Sequence, residues 1–386
     1  MPDALLVLAD GSVYRGASIG AEGHTDGEVV FSTSMTGYQE MLTDPSFAGQ
    51  LLVFTYPMIG NYGVDPTVEE SNRIQVAGAI VREAAPYASH NLSTGTIDAY
   101  LKAKNVIGIT GVDTRAITRR IRRHGVTPGT ITTNESAGQA LERLRALPGY
   151  DDINWVSRVT TEQRYDYVSA RPFDYIQRVQ IAAGSPLVMN GLHGHAPRVA
   201  LVDGGVKRSI LDSLVRRGCA VHVFPVETPA EDLLAWKPDG IVLSPGPGDP
   251  RLLDHVVDET RKLIGKAPML GICLGHQVAA MAMGATTFKL PFGHRGGNHP
   301  VQDVTTGSVT ITAQNHGYAV DPDGLDSTAY VSHINLNDQT VEGIALRNEP
   351  LITIQYHSEA CPGPLDNDGI FDRFVELMAA VPGGMK

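Results

Sequence analysis

The chain has 386 residues, of which 42% are hydrophobic and 19% are charged, so it can form two domains with sizeable cores. A net charge of −11 without a block of basic residues argues against nucleic-acid binding, since phosphate contacts need clustered positive charge. No apolar stretch is long enough to span a membrane, and the N-terminus lacks the pattern of a signal peptide. Three cysteines do not form a disulfide framework and fit a reducing compartment, so we expect a cytoplasmic protein.

Residues 1–150 are predicted to form one mixed α/β domain. The segment 4–14 has strand-like residues on both sides of Asp10-Gly11, which is typical of a β-hairpin with its turn at this dipeptide. Asp113 precedes a helical pattern and is a candidate N-cap. Further strands are expected over 28–32, 51–55 and 75–81, and helices over 96–104 and 113–124. The arginines within 115–123 are interpreted as a solvated helix face or a contact with a partner.

Residues 151–196 are predicted to be a linker with little structure of its own. His193 and His195 resemble a metal-binding pair, but no further ligand stands at a useful spacing, so a solvent loop is favoured. No metal site is expected in the chain.

Residues 197–386 alternate between strands and helices, which indicates a doubly wound, mostly parallel sheet. Ligands bind beyond the carboxyl ends of the strands in such sheets. The expected elements are strands over 199–202, 220–225, 240–243, 308–312, 329–333, 341–345 and 351–354, and helices over 207–217, 252–263, 274–283 and 369–380.

Cys273 stands in Gly271-Ile272-Cys273-Leu274-Gly275, between an apolar strand and a helix. Such a turn exposes a nucleophile, and its glycines avoid clashes with neighbouring elements. A helix N-terminus also favours negative charge on the sulfur. A buried structural thiol is the alternative, but it needs neither the two glycines nor a second reactive motif.

That second motif is His357-Ser358-Glu359, which follows the apolar run 351–354. The imidazole and the carboxylate are spaced i, i+2, as a general base and its orienting group require. Together with Cys273 they form the predicted catalytic set.

Gly-Ile-Cys-Leu-Gly-His-Gln followed by His-x-Glu resembles the class I (triad) glutamine amidotransferases. The resemblance implies hydrolysis of the glutamine side-chain amide through a cysteinyl thioester. It also implies that the loop 243–250 contributes to the oxyanion site, through the N–H groups of Gly248 and Leu274 and with Gly246 lining the substrate. The same resemblance assigns the glutamine amino-acid group to Gln277, Asn315, Gly317 and Tyr318. His316 is not given a catalytic role.

The rest of the chain is similar to the small-subunit family of glutamine-hydrolysing carbamoyl phosphate synthetases. The motifs that carry this similarity lie at 34–47, 55–63, 111–115, 203–208 and 293–300, the last being interpreted as a glycine-rich structural loop. Ser46 matches a serine that reaches the glutamine substrate in that family. Ser358 and Cys361 depart from the usual residues of the family, and the role of Cys361 stays open.

The resemblance implies a separate large subunit, in a heterodimer or a higher heteromer, that receives ammonia and serves arginine and pyrimidine biosynthesis. No phosphate-binding or dinucleotide motif occurs in the sequence. We therefore expect no cofactor in this chain, and ATP and Mg²⁺ on the large subunit. Two alternatives remain: a non-catalytic regulatory subunit, and an autonomous γ-glutamyl hydrolase.

Overall fold

A computed structural model of the chain describes residues 3–169 and 196–380. The chain divides into two compact units. The first consists of Met1–Trp155 and Pro291–Gly296, and the second of Val156–Leu290 and Gly297–Lys386. The predicted boundaries at 150 and 196 stay predictions. In the described ranges, no helix is long and apolar enough to cross a membrane.

The first unit is built on a closed β-barrel. Its strands in spatial order are β1 (Asp3–Leu8), β2 (Val13–Gly20), β8 (Ile107–Thr110), β6 (Gly78–Ile80), β4 (Gln50–Phe54), β3 (His24–Ser32) and β9 (Thr127–Thr132). The pairs β3–β4, β4–β6 and β6–β8 are parallel and the other neighbours antiparallel. A short parallel pair, β5 (Met58–Ile59) with β7 (Glu83–Ala84), lies apart from the barrel.

Local sequence explains the elements around the barrel. Gly11 has φ +87° in the turn of the β1–β2 hairpin, a conformation that favours glycine. Thr96 and Asp113 accept hydrogen bonds from the backbone N–H of the third residue of α2 (Ile97–Ala103) and of α3 (Thr114–His124), so both predicted helices are confirmed. Two more helices belong to this unit: α1 (Tyr38–Thr43) and α4 (Ala137–Arg145).

The segment Pro291–Gly296 joins the first unit although it lies far along the sequence. The carbonyl of Pro291 accepts a hydrogen bond from the N–H of Val126 at 2.8 Å, and that of Arg295 accepts one from Thr33 at 3.2 Å. Phe292 stacks on Phe31 with ring centroids 6.1 Å apart. These contacts were not foreseen from the sequence.

The second unit contains a ten-stranded sheet. Its order is β10 (Tyr165–Asp166), β12 (Ala220–Pro225), β11 (Arg198–Asp203), β13 (Gly240–Leu243), β14 (Met269–Ile272), β19 (Leu351–Ile354), β18 (Val341–Leu346), β16 (Val309–Asp321), β15 (Thr286–Asp303) and β17 (Ala329–Asn335). The strands from β12 to β19 in this order are parallel, and β18 pairs antiparallel with β19. The predicted doubly wound α/β class is confirmed.

Helices on this sheet bury its apolar strands. They are α5 (Arg208–Arg216), α6 (Ala230–Ala235), α7 (Asp254–Leu263), α8 (Leu274–Ala282) and α9 (Ile370–Ala380). One core cluster includes Ala200, Ile241 and Met269, and a second includes Val199, Val242 and Leu270. Neighbouring residues of one strand thus enter opposite clusters, as expected for a sheet buried on both sides.

Two sequence interpretations outside the catalytic motifs differ from the structure. The segment 293–300 was interpreted as a glycine-rich loop, but it lies inside the 18-residue strand β15. Within the predicted linker, Tyr165 and Asp166 pair antiparallel with Val223 and His222 at the sheet edge. His193 and His195 lie outside the described residues.

Candidate active site

Cys273 lies on a strained turn between β14 and α8. Its φ of +52° and ψ of −104° are rare for a residue with a side chain, which fits the predicted nucleophile turn. A Cβ on Gly275 would lie 2.1 Å from the carbonyl oxygen of Leu243, and one on Gly271 would lie 2.7 Å from that of Gly275. Both glycines are therefore required by the close approach of the backbone.

This packing predicts a difference between two Gly→Ala substitutions in helices. Gly275→Ala is expected to lower the free energy of unfolding by about 1–3 kcal/mol, because the new methyl group overlaps a backbone carbonyl that cannot easily move. In Gly138→Ala, on α4, the new Cβ has no neighbouring atom within 4 Å. This substitution is expected to raise the free energy of unfolding by roughly 0.5–1 kcal/mol. Urea unfolding of both variants measures the contrast, and equal effects would contradict the account.

His357 follows β19 and is held from two sides. Its backbone N–H donates to the carbonyl of Ala313 at 2.8 Å, and its Nδ1 lies 2.7 Å from Oε1 of Glu359. Both side chains are almost completely buried. The bond at Nδ1 leaves Nε2 as the ring nitrogen available for proton transfer with Cys273.

The charges of this pair stabilise each other. Burial alone would lower the pKa of His357, but the carboxylate of Glu359 and contact with the Cys273 sulfur outweigh it and raise that pKa to about 10. Burial would raise the pKa of Glu359, but Lys207 and His357 hold it at about 2. At neutral pH the site therefore contains an imidazolium paired with a carboxylate.

Lys207 is the residue of this site that sequence reasoning missed. Its Nζ lies 3.0 Å from Oε1 of Glu359 and donates to the carbonyl of Ala360 at 2.6 Å, and its side chain is 3% exposed. A lysine is expensive to bury unless it is paired. Lys207 lies in the family motif at 203–208, so a signal for its importance was present in the sequence. No spacing rule, however, connects it to the carboxylate of Glu359, far along the chain.

Removal of the carboxylate charge should change the pH dependence of activity. Glu359 raises the pKa of His357, and the imidazolium must donate a proton to the leaving nitrogen, so activity is lost as pH rises through that pKa. In Glu359→Gln the alkaline limb of kcat/KM for glutamine should move to lower pH by about one unit or more. The alkaline limb is measured from rates of glutamate release between about pH 6 and pH 11. Circular dichroism over the same range controls for unfolding, and an unmoved limb would contradict the pairing.

The loop after β13 approaches the nucleophile helix closely. A Cβ on Gly246 would lie 2.2 Å from the carbonyl oxygen of Gly204 and 2.6 Å from the side chain of Leu274. Gly248 has φ +90°, which favours glycine. The N–H of Gly275 donates to the carbonyl of Ser244 at 3.1 Å, which anchors the first turn of α8 against this loop. The oxyanion role of the Gly248 and Leu274 N–H groups stays a prediction.

Several predicted glutamine-binding residues lie on α8 and β16, close to Cys273. The thiol of Cys273 lies 3.7 Å from the carbonyl oxygen of Asn315, and Nε2 of Gln277 donates to the carbonyl of Tyr318 at 2.9 Å. Asn315, Gly317 and Tyr318 were expected after a strand ending near 312, but they lie within β16. The strand continues because the segment pairs with its neighbours in the sheet.

Ser46 belongs to the first unit. It lies in a 3₁₀ turn, Pro45–Phe47, and its N–H donates to Oδ1 of Asp44 at 2.8 Å. Its side chain is buried and its Oγ has no hydrogen-bond partner among the described residues. The predicted contact of Ser46 with glutamine stays a prediction.

Two family models match the chain. Residues 6–131 match the carbamoyl-phosphate synthase small chain, CPSase domain, and residues 200–377 match glutamine amidotransferase class-I. A carbamoyl phosphate synthase small chain from Syntrophotalea carbinolica is 47% identical over 376 residues, covering 97% of each chain. The chain belongs to the carbamoyl phosphate synthase small-chain family.

Other members of this family are similar over the same extent. The small chain from Listeria monocytogenes serotype 4b is 47% identical over 381 residues, covering 98% of this chain and 97% of the relative. That from Thermosynechococcus vestitus is 46% identical over 380 residues, with 98% and 97% covered. The chain is thus a small subunit of glutamine-hydrolysing carbamoyl-phosphate synthase, and such a small chain implies a large-subunit partner.

Proposed function

We propose that this chain hydrolyses L-glutamine through a γ-glutamyl thioester on Cys273 and delivers the ammonia to a large ATP-dependent subunit. The observation that carries the proposal is the buried set of Cys273 on its strained turn, His357 beside it, and Glu359 bonded to His357 Nδ1. This arrangement supports nucleophilic catalysis with a base oriented by a third group.

In the first half-reaction the Cys273 sulfur attacks the side-chain amide carbon of glutamine. The negative charge that forms on the amide oxygen is stabilised by the N–H groups of Gly248 and Leu274, an interaction worth roughly 2.7–4 kcal/mol per donor. His357 then donates its Nε2 proton to the amide nitrogen. The carbon–nitrogen bond breaks, ammonia leaves, and a thioester remains on Cys273.

In the second half-reaction water attacks the thioester carbon. His357 takes a proton from the water, the carbon–sulfur bond breaks, and glutamate is released, which restores the imidazolium and the sulfur anion. Glu359 keeps the imidazole in its orientation through both steps, and Lys207 holds Glu359 in its charged form. Gln277, Asn315, Gly317, Tyr318 and Ser46 are proposed to bind the amino-acid group of the substrate.

The ammonia requires an acceptor, because free ammonia is protonated in bulk water at neutral pH. We propose that residues 1–150 largely dock the chain on the large subunit, in a heterodimer or higher heteromer. ATP and Mg²⁺ bind on that partner, which makes carbamoyl phosphate from bicarbonate for arginine and pyrimidine biosynthesis. A chain with three cysteines has too few for a disulfide framework, which supports a reducing, cytoplasmic setting.

Co-expression with the cognate large subunit tests this proposal. A sealed transfer needs a stable interface, of order 1,200 Å² or more, so the two chains should co-elute from a size-exclusion column at micromolar concentration. Glutamine should then support carbamoyl phosphate synthesis better than added ammonium, and deletion of residues 1–150 should abolish co-elution. Separate elution, with glutamine no better than ammonium, would instead favour a stand-alone hydrolase.

A further inference from the structure

Arg251 connects two parts of the candidate site that are distant in sequence. It lies in the 3₁₀ turn Pro250–Leu252, directly after the loop that contains Gly248. Its Nε lies 3.0 Å from each oxygen of Asp249, and its Nη2 lies 2.6 Å from Oδ2 of the same carboxylate. Oδ1 of Asp249 also accepts the backbone N–H of Arg251 at 2.9 Å, and Asp249 is buried. The guanidinium thus pairs with the loop end, in a side chain that is 57% exposed.

The same guanidinium lies near Tyr318, on the strand β16. Its Cζ is 5.9 Å from the ring centroid of Tyr318, within the range of a cation–π contact. The Tyr318 ring is buried, and its backbone carbonyl accepts the amide of Gln277 at 2.9 Å. The nitrogen of Lys289 also lies 5.9 Å from the same ring centroid.

We propose that Arg251 is a positioning residue that ties the oxyanion loop to the glutamine-binding strand through Asp249 and Tyr318. The proposal rests on the proposed glutaminase function. Oxyanion donors act only when they are held in place before the charge develops. Gly248 lies in a loop of glycines and prolines, and glycine has the most conformational freedom to lose. A planar guanidinium can pair with a carboxylate on its edge and stack on a ring with its face, which a lysine cannot do.

The test separates this role from substrate binding and from general stability. In Arg251→Ala, kcat for glutamine hydrolysis should fall between about 10- and 100-fold, because a small misplacement of catalytic groups has effects of that size. KM should stay within about threefold, since the lost interaction acts in the transition state. Lys289 remains in this variant, so a positive charge near the ring is retained. Arg251→Lys keeps the charge but loses the two-sided geometry, and should recover only part of the loss.

Alkylation of Cys273 by iodoacetamide provides the second readout. This displacement forms no oxyanion, so its rate in Arg251→Ala should equal that of the wild type. The rate is followed on the Cys273 peptide by mass spectrometry, which separates it from Cys219 and Cys361. Arg261→Ala is the matched control, since Arg261 pairs with Asp258 on the exposed side of α7 at 2.6 Å, and its hydrogen bond to the carbonyl of Ala282, at 3.3 Å, lies at the end of α8 away from Cys273. It should leave hydrolysis and alkylation unchanged.

Each other outcome overturns the proposal. An unchanged kcat in Arg251→Ala would show that the loop keeps its position without the guanidinium. A raised KM with unchanged kcat would place Arg251 in substrate recognition, and a parallel loss of alkylation would show a general disturbance of the site. Failure of the wild-type chain to release glutamate, alone or with its partner, would instead refute the proposed function.

Discussion

Replacing Cys273 by serine is expected to abolish glutamate release from glutamine, with a loss of at least about 10⁴-fold. A serine hydroxyl is a much weaker nucleophile than a thiolate beside the imidazolium of His357. The complex should still make carbamoyl phosphate from added ammonium, because that reaction bypasses the thioester. Both rates can be measured on the same preparation.

Cys361→Ser is the matched control for that substitution. Cys361 is partly buried, and it has no part in the proposed chemistry. The variant should keep glutamine-dependent activity within about tenfold of the wild type. Near-normal hydrolysis by Cys273→Ser, or its loss in Cys361→Ser alone, would contradict the assignment of the nucleophile.

The second large effect is expected from a double-mutant cycle on His357 and Glu359. His357→Asn should remove most turnover, since it removes the imidazole that transfers the proton in the proposed mechanism. Glu359→Gln alone should also lower kcat, because it removes the charge that holds the imidazole in its protonated form. The double variant should be little worse than His357→Asn, since groups that act as a unit lose their effects together.

The cycle is measured as kcat for glutamate release by the four proteins. Its control is the ammonium-dependent rate of the complex, which should stay constant if the substitutions leave the fold intact. Losses that multiply in the double variant would mean that the two residues act independently. In that case the 2.7 Å bond between them would not serve catalysis.

The catalytic residues could be predicted because short local motifs in the sequence identify them. The glycines around Cys273 are required by backbone contacts of 2.1 and 2.7 Å, so the motif carries its own structural reason. His357 and Glu359 lie two residues apart and bond to each other, which their spacing allowed. Lys207 could not be found in the same way, because its partner Glu359 follows β19, far along the chain.

The strand β15 shows where prediction of the fold from the sequence fails. Its eighteen residues contain glycines and prolines that usually indicate a loop, and the strand is held by pairing with distant segments. The extension of β16 through Asn315 to Tyr318 has the same cause. Tertiary pairing overrode local propensity in both strands.

The helix α4 is a different case, because a capping motif in the sequence predicts its start, although no helix was expected there. Ser136 accepts the N–H of Gln139, and the Gln139 side chain accepts the N–H of Ser136. This capping box, Ser-x-x-Gln before an amphipathic run, predicts a helix start from sequence alone. The short 3₁₀ turns and the joining of Pro291–Gly296 to the first unit have no comparable signal.

Hydrolysis of glutamine is expected to pass through a covalent intermediate on Cys273. The most direct measurement is acid quenching of the complex during turnover with glutamine, followed by mass spectrometry of the Cys273 peptide. The account predicts a mass increase of one γ-glutamyl group on that peptide and none on the peptides of Cys219 or Cys361. Glutamate release in the steady state with Cys273 unmodified throughout, from the earliest quench to the latest, would contradict it.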